Sequence, residues 1–247
     1  MKTEHEKERI DILLVARGFF QSREKAQRAI MAGEVRVGER LIDKAGTRVP
    51  LDAEIAVKSA PRYVGRGGFK LEAALRHFQI DPTGVTCLDI GASTGGFTDC
   101  LLQHGAARVH AIDVGHSQLD WKIRNDPRVM VREKLNARYL TRGDIPDPIG
   151  IVVIDVSFIS LTLILPPAFD LLSPEGMIVV LIKPQFELNR EDVGKGGIVR
   201  EPELHERAVA KIRAFVCAKL LKTWCGVIDS PILGTGGNKE FLACLRN

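Results

Sequence analysis

Two uninterrupted apolar runs, Ile151-Val152-Val153-Ile154 and Val179-Val180-Leu181-Ile182, constrain the fold of this 247-residue chain more than any other feature. A strand with one wet face alternates apolar and polar residues, whereas a run without alternation is buried on both faces, as in a parallel sheet covered by helices. These runs predict strands at Ile149 to Asp155 and Met177 to Ile182, and five further β-rich segments join them: Thr86 to Ile90, Arg108 to Val114, Val129 to Glu133, Thr223 to Pro231 and Phe241 to Leu245. Helical segments are expected between them, near Lys70 to His77, Phe97 to His104, Leu161 to Leu172 and Pro202 to Leu221. The alternation predicts an α/β fold with a doubly wound, mostly parallel, seven-stranded sheet.

Ahead of this region, Arg9 to about Val57 reads as a pair of helices followed by short strands, a small α+β unit. Ile10, Leu13 and Leu14 lie at helical spacing, and Ser22 is the expected N-cap of a second helix with Ala26, Ala29 and Ile30 on its apolar face. Arg23 and Gln27 share one face of that helix, with Arg28 beside it. The order Arg9-Ile10-Asp11, Ser22-Arg23, Ala26, Ile30, Gly33, Val35, Val37, Gly38 resembles the ribosomal-protein-S-four-like RNA-binding domain. That resemblance implies RNA contacts from Arg9, Arg23, Lys25, Gln27, Arg28 and Arg36. The expected boundaries are 1–59 for this domain, a linker at 60–64 around Pro61, and 65–247 for the larger domain.

Leu88-Asp89-Ile90-Gly91-Ala92-Ser93-Thr94-Gly95-Gly96-Phe97 runs from an apolar strand through a Gly-rich turn into a helix. Glycines are needed where backbone takes positive φ or closely approaches a ligand, and the switch point of a parallel sheet is where ligands bind. A dinucleotide fingerprint requires G-x-G-x-x-G, and Ser93 occupies its second glycine. A pyrophosphate is therefore disfavoured. The turn is similar to the D-x-G-x-x-x-G-G form of S-adenosylmethionine enzymes, with Asp89, Gly91, Ser93, Gly95, Gly96 and Phe97 as candidate cofactor residues. Asp113 ends the next strand about twenty residues on, where an acid meets ribose hydroxyls. Asn136, after the third strand, has the donor and acceptor that adenine requires.

Four charged residues are expected at the carboxyl edge of the predicted sheet: Lys70, Asp155, Lys183 and Glu240. Asp155 and Lys183 each end a buried strand, and such ends rarely carry unpaired charge. Methyl transfer from a sulfonium needs an oxygen nucleophile relieved of its proton. A lysine is able to take that proton when burial and a neighbouring cation favour its neutral amine, while carboxylates act in the opposite sense. Lys183 is the expected base, with Lys70 as second cation, Asp155 positioning Lys183 beside the methyl group, and Glu240 orienting the lysines.

The motifs Gly65-Arg66-Gly67-Gly68-Phe69-Lys70-Leu71, Asp89 to Thr98, Asp155-Val156-Ser157-Phe158-Ile159-Ser160, Lys183-Pro184-Gln185-Phe186-Glu187 and Gly237-Asn238-Lys239-Glu240-Phe241 resemble the TlyA family over nearly the whole chain. Phe69 stands where Leu is common. The resemblance implies a Rossmann-like class I methyltransferase domain of FtsJ type behind the RNA-binding domain, with Lys70, Asp155, Lys183 and Glu240 as its catalytic tetrad. It further implies S-adenosyl-L-methionine as cofactor and 2′-O-methylation of cytidine in ribosomal RNA, with the ribosome or its subunits as partner. Gly194-Lys195-Gly196-Gly197-Ile198-Val199-Arg200 matches a family loop beside the site, so Lys195, like Arg66, is a candidate RNA contact.

The remaining features exclude more than they specify. The formal charge of +4 permits a polyanionic partner without demanding one. Five cysteines without C-x-x-C spacing imply a reduced, cytoplasmic setting, and six dispersed histidines imply no metal. A charged N-terminus and an apolar region broken by Asp155 and a Pro pair argue against secretion and membrane spanning. Three rivals follow: a membrane-active haemolysin, a name attached to the family; a non-catalytic RNA-binding assembly factor; and an NAD-dependent oxidoreductase, which Ser93 opposes. No protein partner is inferable. Trp121 and Trp224 read as packing residues.

Overall fold

The computed structural model describes residues 6–58 and 62–247. Ala60 and Pro61 of the expected linker, and His5, lie outside the described residues. The chain divides into two compact units, Met1–Arg62 and Tyr63–Asn247.

In the first unit, β1 (Lys7–Arg9), α1 (Ile10–Ala16), α2 (Arg23–Met31), β2 (Val35–Val37), β3 (Arg40–Ile42), β4 (Arg48–Pro50) and β5 (Ile55–Val57) follow in order. Ser22 Oγ accepts from Lys25 N at 3.4 Å, capping α2. Leu13, Leu14, Ala26 and Ile30 pack with Val35, Ile42 and Val49 into one small core. β3, β2 and β5 form one sheet, while β1 pairs antiparallel with β4. β1 has the sequence Lys-Glu-Arg and so carries no apolar alternation. Its backbone pairing alone makes it a strand, which sequence pattern does not register.

The second unit contains α3 (Gly67–His77), β6 (Thr86–Ile90), α4 (Gly96–Gln103), β7 (Arg108–Asp113), α5 (Trp121–Arg124), β8 (Val129–Glu133), β9 (Ile149–Ile154), α6 (Leu165–Leu171), β10 (Leu172–Ile182), α7 (Pro184–Glu187), α8 (Pro202–Ala214), β11 (Thr223–Asp229) and β12 (Phe241–Arg246). Its seven-stranded sheet has the order β11-β12-β10-β9-β6-β7-β8. Pairings from β10 through β8 are parallel, and β12 runs antiparallel to both neighbours. Along β9, Val152 and Ile154 enter one core with α6 and α8, and Ile151 and Val153 enter the opposite core with α3 and α4. The unbroken apolar run thus serves both faces. Chain order reverses between β6 and β9, which makes the crevice at their carboxyl ends the switch point.

Several boundaries depart from expectation for local reasons. The segment 161–172 is a 3₁₀ turn (Leu161–Leu163) followed by α6, because Pro166 and Pro167 lack the N–H that a helix interior uses but suit its first turn. β10 starts at Leu172 rather than Met177, with an irregularity between those residues. α8 ends at Ala214 and continues as one π-helical turn, Phe215–Lys219. Cys87, Cys100 and Cys244 are buried free thiols; Cys217 and Cys225 are exposed.

Candidate active site

Topology explains why four residues scattered over 170 positions meet. Asp155 and Lys183 directly follow β9 and β10, two parallel neighbours in the sheet, and so emerge at the same carboxyl edge. β12 is antiparallel to β10 with Phe241 in register with Ile182, so the residue just before it, Glu240, also stands at that edge. Lys70 arrives from the first turns of α3. All four line one cavity of about 240 Å³, together with Arg66, the Gly91–Thr94 turn, Gly96, Phe97 and Ser157.

Within it the charges form two ion pairs. Lys70 Nζ donates to Glu240 Oε2 at 2.5 Å, both side chains being almost fully enclosed. Lys183 Nζ lies 2.5 Å from Asp155 Oδ1 and donates to Ser157 Oγ at 3.0 Å. Buried charges that are paired in this way avoid the cost of isolated desolvation.

A second cavity of about 310 Å³ adjoins the first, sharing Gly91, Ser93, Asp155 and Ser157 as a common wall. Ile90, Ile112, Leu135, Ala137, Val156 and Ile159 give it apolar sides, with Asp113, Gln118 and Asn136 as polar contacts. An apolar slot with few polar groups suits a nucleoside. Asp113 Oδ2 accepts from Ser93 N at 2.8 Å and Oδ1 from Gly115 N at 2.7 Å, so this carboxylate builds the cavity rim as well as facing it. Asn136 Oδ1 accepts from Arg138 N at 3.1 Å.

The turn between the cavities depends on glycine in a specific way. Gly91 has φ of 88°, and a Cβ there would sit 2.3 Å from the backbone oxygen of Asp155. That close approach lets Asp155 N donate to Ile90 O at 3.0 Å and fixes the start of the Asp155 loop against the turn. Gly68 has a parallel role at the head of α3, where a Cβ would come within 2.3 Å of the buried Tyr63 ring.

Of the cofactor candidates, Asp89 and Gly95 line neither cavity. Asp89 is sealed beneath the turn, where its Oδ2 accepts from Thr98 Oγ1 at 2.6 Å, and burial pushes its carboxyl up to about 7. Gly95 backs onto Leu119 and Ile123. Asp89 Oδ1 is buried with no hydrogen-bond partner among the described residues.

The RNA candidates divide. Arg66 lines the tetrad cavity, and Lys195 is exposed on a short 3₁₀ turn, Lys195–Gly197. Asn238 holds the following residues, accepting from Val199 N at 3.0 Å and donating to Gly197 O at 2.9 Å. In the first unit, Arg9, Arg23 and Gln27 all donate to Asp11. Arg28 pairs with Glu24 at 2.6 Å, Lys25 with Gln21 at 2.9 Å, and Arg36 donates to Glu39 O at 3.1 Å.

Sequence reasoning assigned no role to Ser157 or Phe158. Phe158 is 91% exposed in a left-handed conformation with φ of 63°, its ring centroid 5.0 Å from that of Phe186 beside the tetrad. A bulky residue at positive φ is a conformational signal that sequence pattern does not carry. Among the described residues, no group of three or more His, Cys, Asp or Glu converges to hold a metal, and no helix is long and apolar enough to cross a membrane.

Comparison with known proteins follows the same division of the chain. Residues 63–247 match the FtsJ-like methyltransferase family and residues 8–55 the S4 domain. The chain is 49% identical over 244 residues to YqxC of Bacillus subtilis, a candidate rRNA methyltransferase, covering 97% of this chain and 86% of that protein. It is 45% identical over 240 residues to the 16S/23S rRNA (cytidine-2′-O)-methyltransferase TlyA of Mycobacterium tuberculosis, covering 96% of this chain and 89% of that one. A solved structure of a candidate hemolysin from Streptococcus thermophilus superposes with a TM-score of 0.73 at 45% identity, covering 98% of this chain and 88% of that chain. Sheet order, two-unit architecture and full-length similarity agree, and the chain belongs to the FtsJ-like methyltransferase family, in the TlyA group that carries an S4 domain ahead of its catalytic domain.

Proposed function

We propose that this chain transfers a methyl group from S-adenosylmethionine to the 2′-hydroxyl of a ribose, that of cytidine in ribosomal RNA. The observation that carries this reading is the shared wall between the two cavities: a nucleoside-shaped apolar slot opens beside a cavity lined by two lysine–carboxylate pairs. The substrate assignment is supported by the similarity to a relative named for cytidine-2′-O methylation of 16S and 23S rRNA.

Asp113 and Asn136 would be the polar partners of the donor's ribose and adenine, and Asp155 belongs to the wall the two cavities share. S-adenosylmethionine, when bound, supplies a methyl group on a positively charged sulfur. Lys183, as the neutral amine, would orient the ribose hydroxyl and take its proton as the methyl group is transferred to the oxygen, leaving an ammonium that Asp155 neutralises. Asp155 and Ser157 hold the Lys183 amine, and Glu240 holds Lys70 as the second cation of the cavity. Phe158 offers an exposed ring for stacking on the target base, and Arg66 a cation for its phosphate.

The test is incubation of the protein with radiolabelled methyl donor and unmodified ribosomal subunits, followed by mapping. Label on a cytidine ribose is the expected result. Label on a base, or none, removes the proposal.

A further inference from the structure

Asp11 is a buried carboxylate at the beginning of α1, and its side chain is fully enclosed. Three donors from two elements converge on it: Arg9 through Nε at 3.1 Å and Nη2 at 3.1 Å, Arg23 through Nη2 at 2.9 Å, and Gln27 through Nε2 at 2.8 Å. The bonds from Arg9, joined by those of Gln27 and Arg23, hold its carboxyl well below the usual carboxylate range, so it is an anion at any working pH. Yet the two guanidiniums it grips remain open to solvent, with 42% and 52% of their side chains exposed.

We propose that Asp11 is a positioning residue for RNA binding, locking Arg9 and Arg23 into one fixed pair of outward-facing guanidiniums that together meet backbone phosphates. Each guanidinium has five N–H donors, and Asp11 takes two from Arg9 and one from Arg23, leaving the others for a ligand. Two cations against one anion leave the cluster positive. An arginine already held in one rotamer loses little further freedom when it grips a phosphate, so the order is present before RNA arrives. This inference rests on the RNA-binding reading of the first unit.

Charge and geometry predict opposite signs for one substitution. Asp11→Asn removes a negative charge from a cationic face, which by long-range attraction alone strengthens RNA binding. If Asp11 positions the arginines, the substitution weakens it. The experiment measures the affinity of the full chain for unmodified ribosomal subunits across a salt series. Four proteins are compared: wild type, Asp11→Asn, the double variant Arg9→Ala/Arg23→Ala, and the triple variant combining all three. Expected is an affinity loss of at least fivefold for Asp11→Asn in the wild-type background, with a shallower salt dependence, and no further loss when Asp11→Asn is added to the arginine-free protein. Tighter or unchanged binding by Asp11→Asn overturns the proposal. An equal loss in both backgrounds also overturns it, because a general folding defect acts whether or not the arginines are there. An arginine-free protein that binds as wild type does overturns it as well, while methyl incorporation by the wild-type protein in the same preparation leaves the proposed activity standing.

Discussion

Lys70 Nζ and Glu240 Oε2 lie 2.5 Å apart across 170 residues of chain, with the two side chains 9% and 2% exposed. Removing one partner strands the other charge in the interior. Lys70→Ala and Glu240→Ala are each expected to lower stability by about 3–5 kcal/mol, and the double variant by less than their sum. Urea unfolding of the four proteins measures the coupling; additive losses would show that the pair is not energetically linked.

Lys183 carries the proposed proton transfer. Lys183→Ala is expected to lower the single-turnover methylation rate by about 10²–10⁴-fold, the range for a positioned general base. Donor binding by calorimetry should be little changed, since Lys183 lines the tetrad cavity and not the nucleoside slot. Full activity in this variant would take Lys183 out of the mechanism.

Phe158 presents its ring to solvent from a left-handed backbone, with the Phe186 ring as its neighbour. Phe158→Ala is expected to raise KM for ribosomal substrate on the order of tenfold, within the ~1–3 kcal/mol that base stacking supplies, without altering thermal stability. Steady-state kinetics and a melting curve on the same sample decide it.

Asp89 makes stability depend on pH in a defined direction. Its folded value, pushed to about 7 by burial, lies above the unfolded value near 3.9, so the folded protein retains a proton that the unfolded chain has lost between those limits. The stability contributed by that group is full below about pH 4 and is lost as pH rises through about 7. Asp89→Asn keeps an acceptor for Thr98 and never ionises. Its melting point should exceed that of wild type by a margin that grows from pH 4 to pH 7 and levels off above. Calorimetry across that range checks the sign, and an equal margin at every pH would contradict it.

Periodicity made the sheet legible because burial on both faces leaves no polar residue between Ile151 and Ile154 or between Val179 and Ile182. The Gly-rich turn was legible because its residue types stand close together in sequence, whereas Lys70, Asp155, Lys183 and Glu240 were grouped as a tetrad by the resemblance of their motifs to a known family. β1 was not legible, because Lys7, Glu8 and Arg9 form a strand through backbone pairing alone. Nor was the burial of Asp89, because the motif does not show that its side chain lies beneath the turn and accepts from Thr98.

The amino-acid order by itself therefore determined the alternating architecture and the chemistry available to it, since both follow from local pattern and side-chain type. The meeting of Glu240 with Lys70, of Lys183 with Ser157, and of Arg9, Arg23 and Gln27 with Asp11 was decided by the tertiary structure. Each of these contacts depends on strand direction, register or helix packing, which bring together residues whose separation along the chain carries no information about their distance in space.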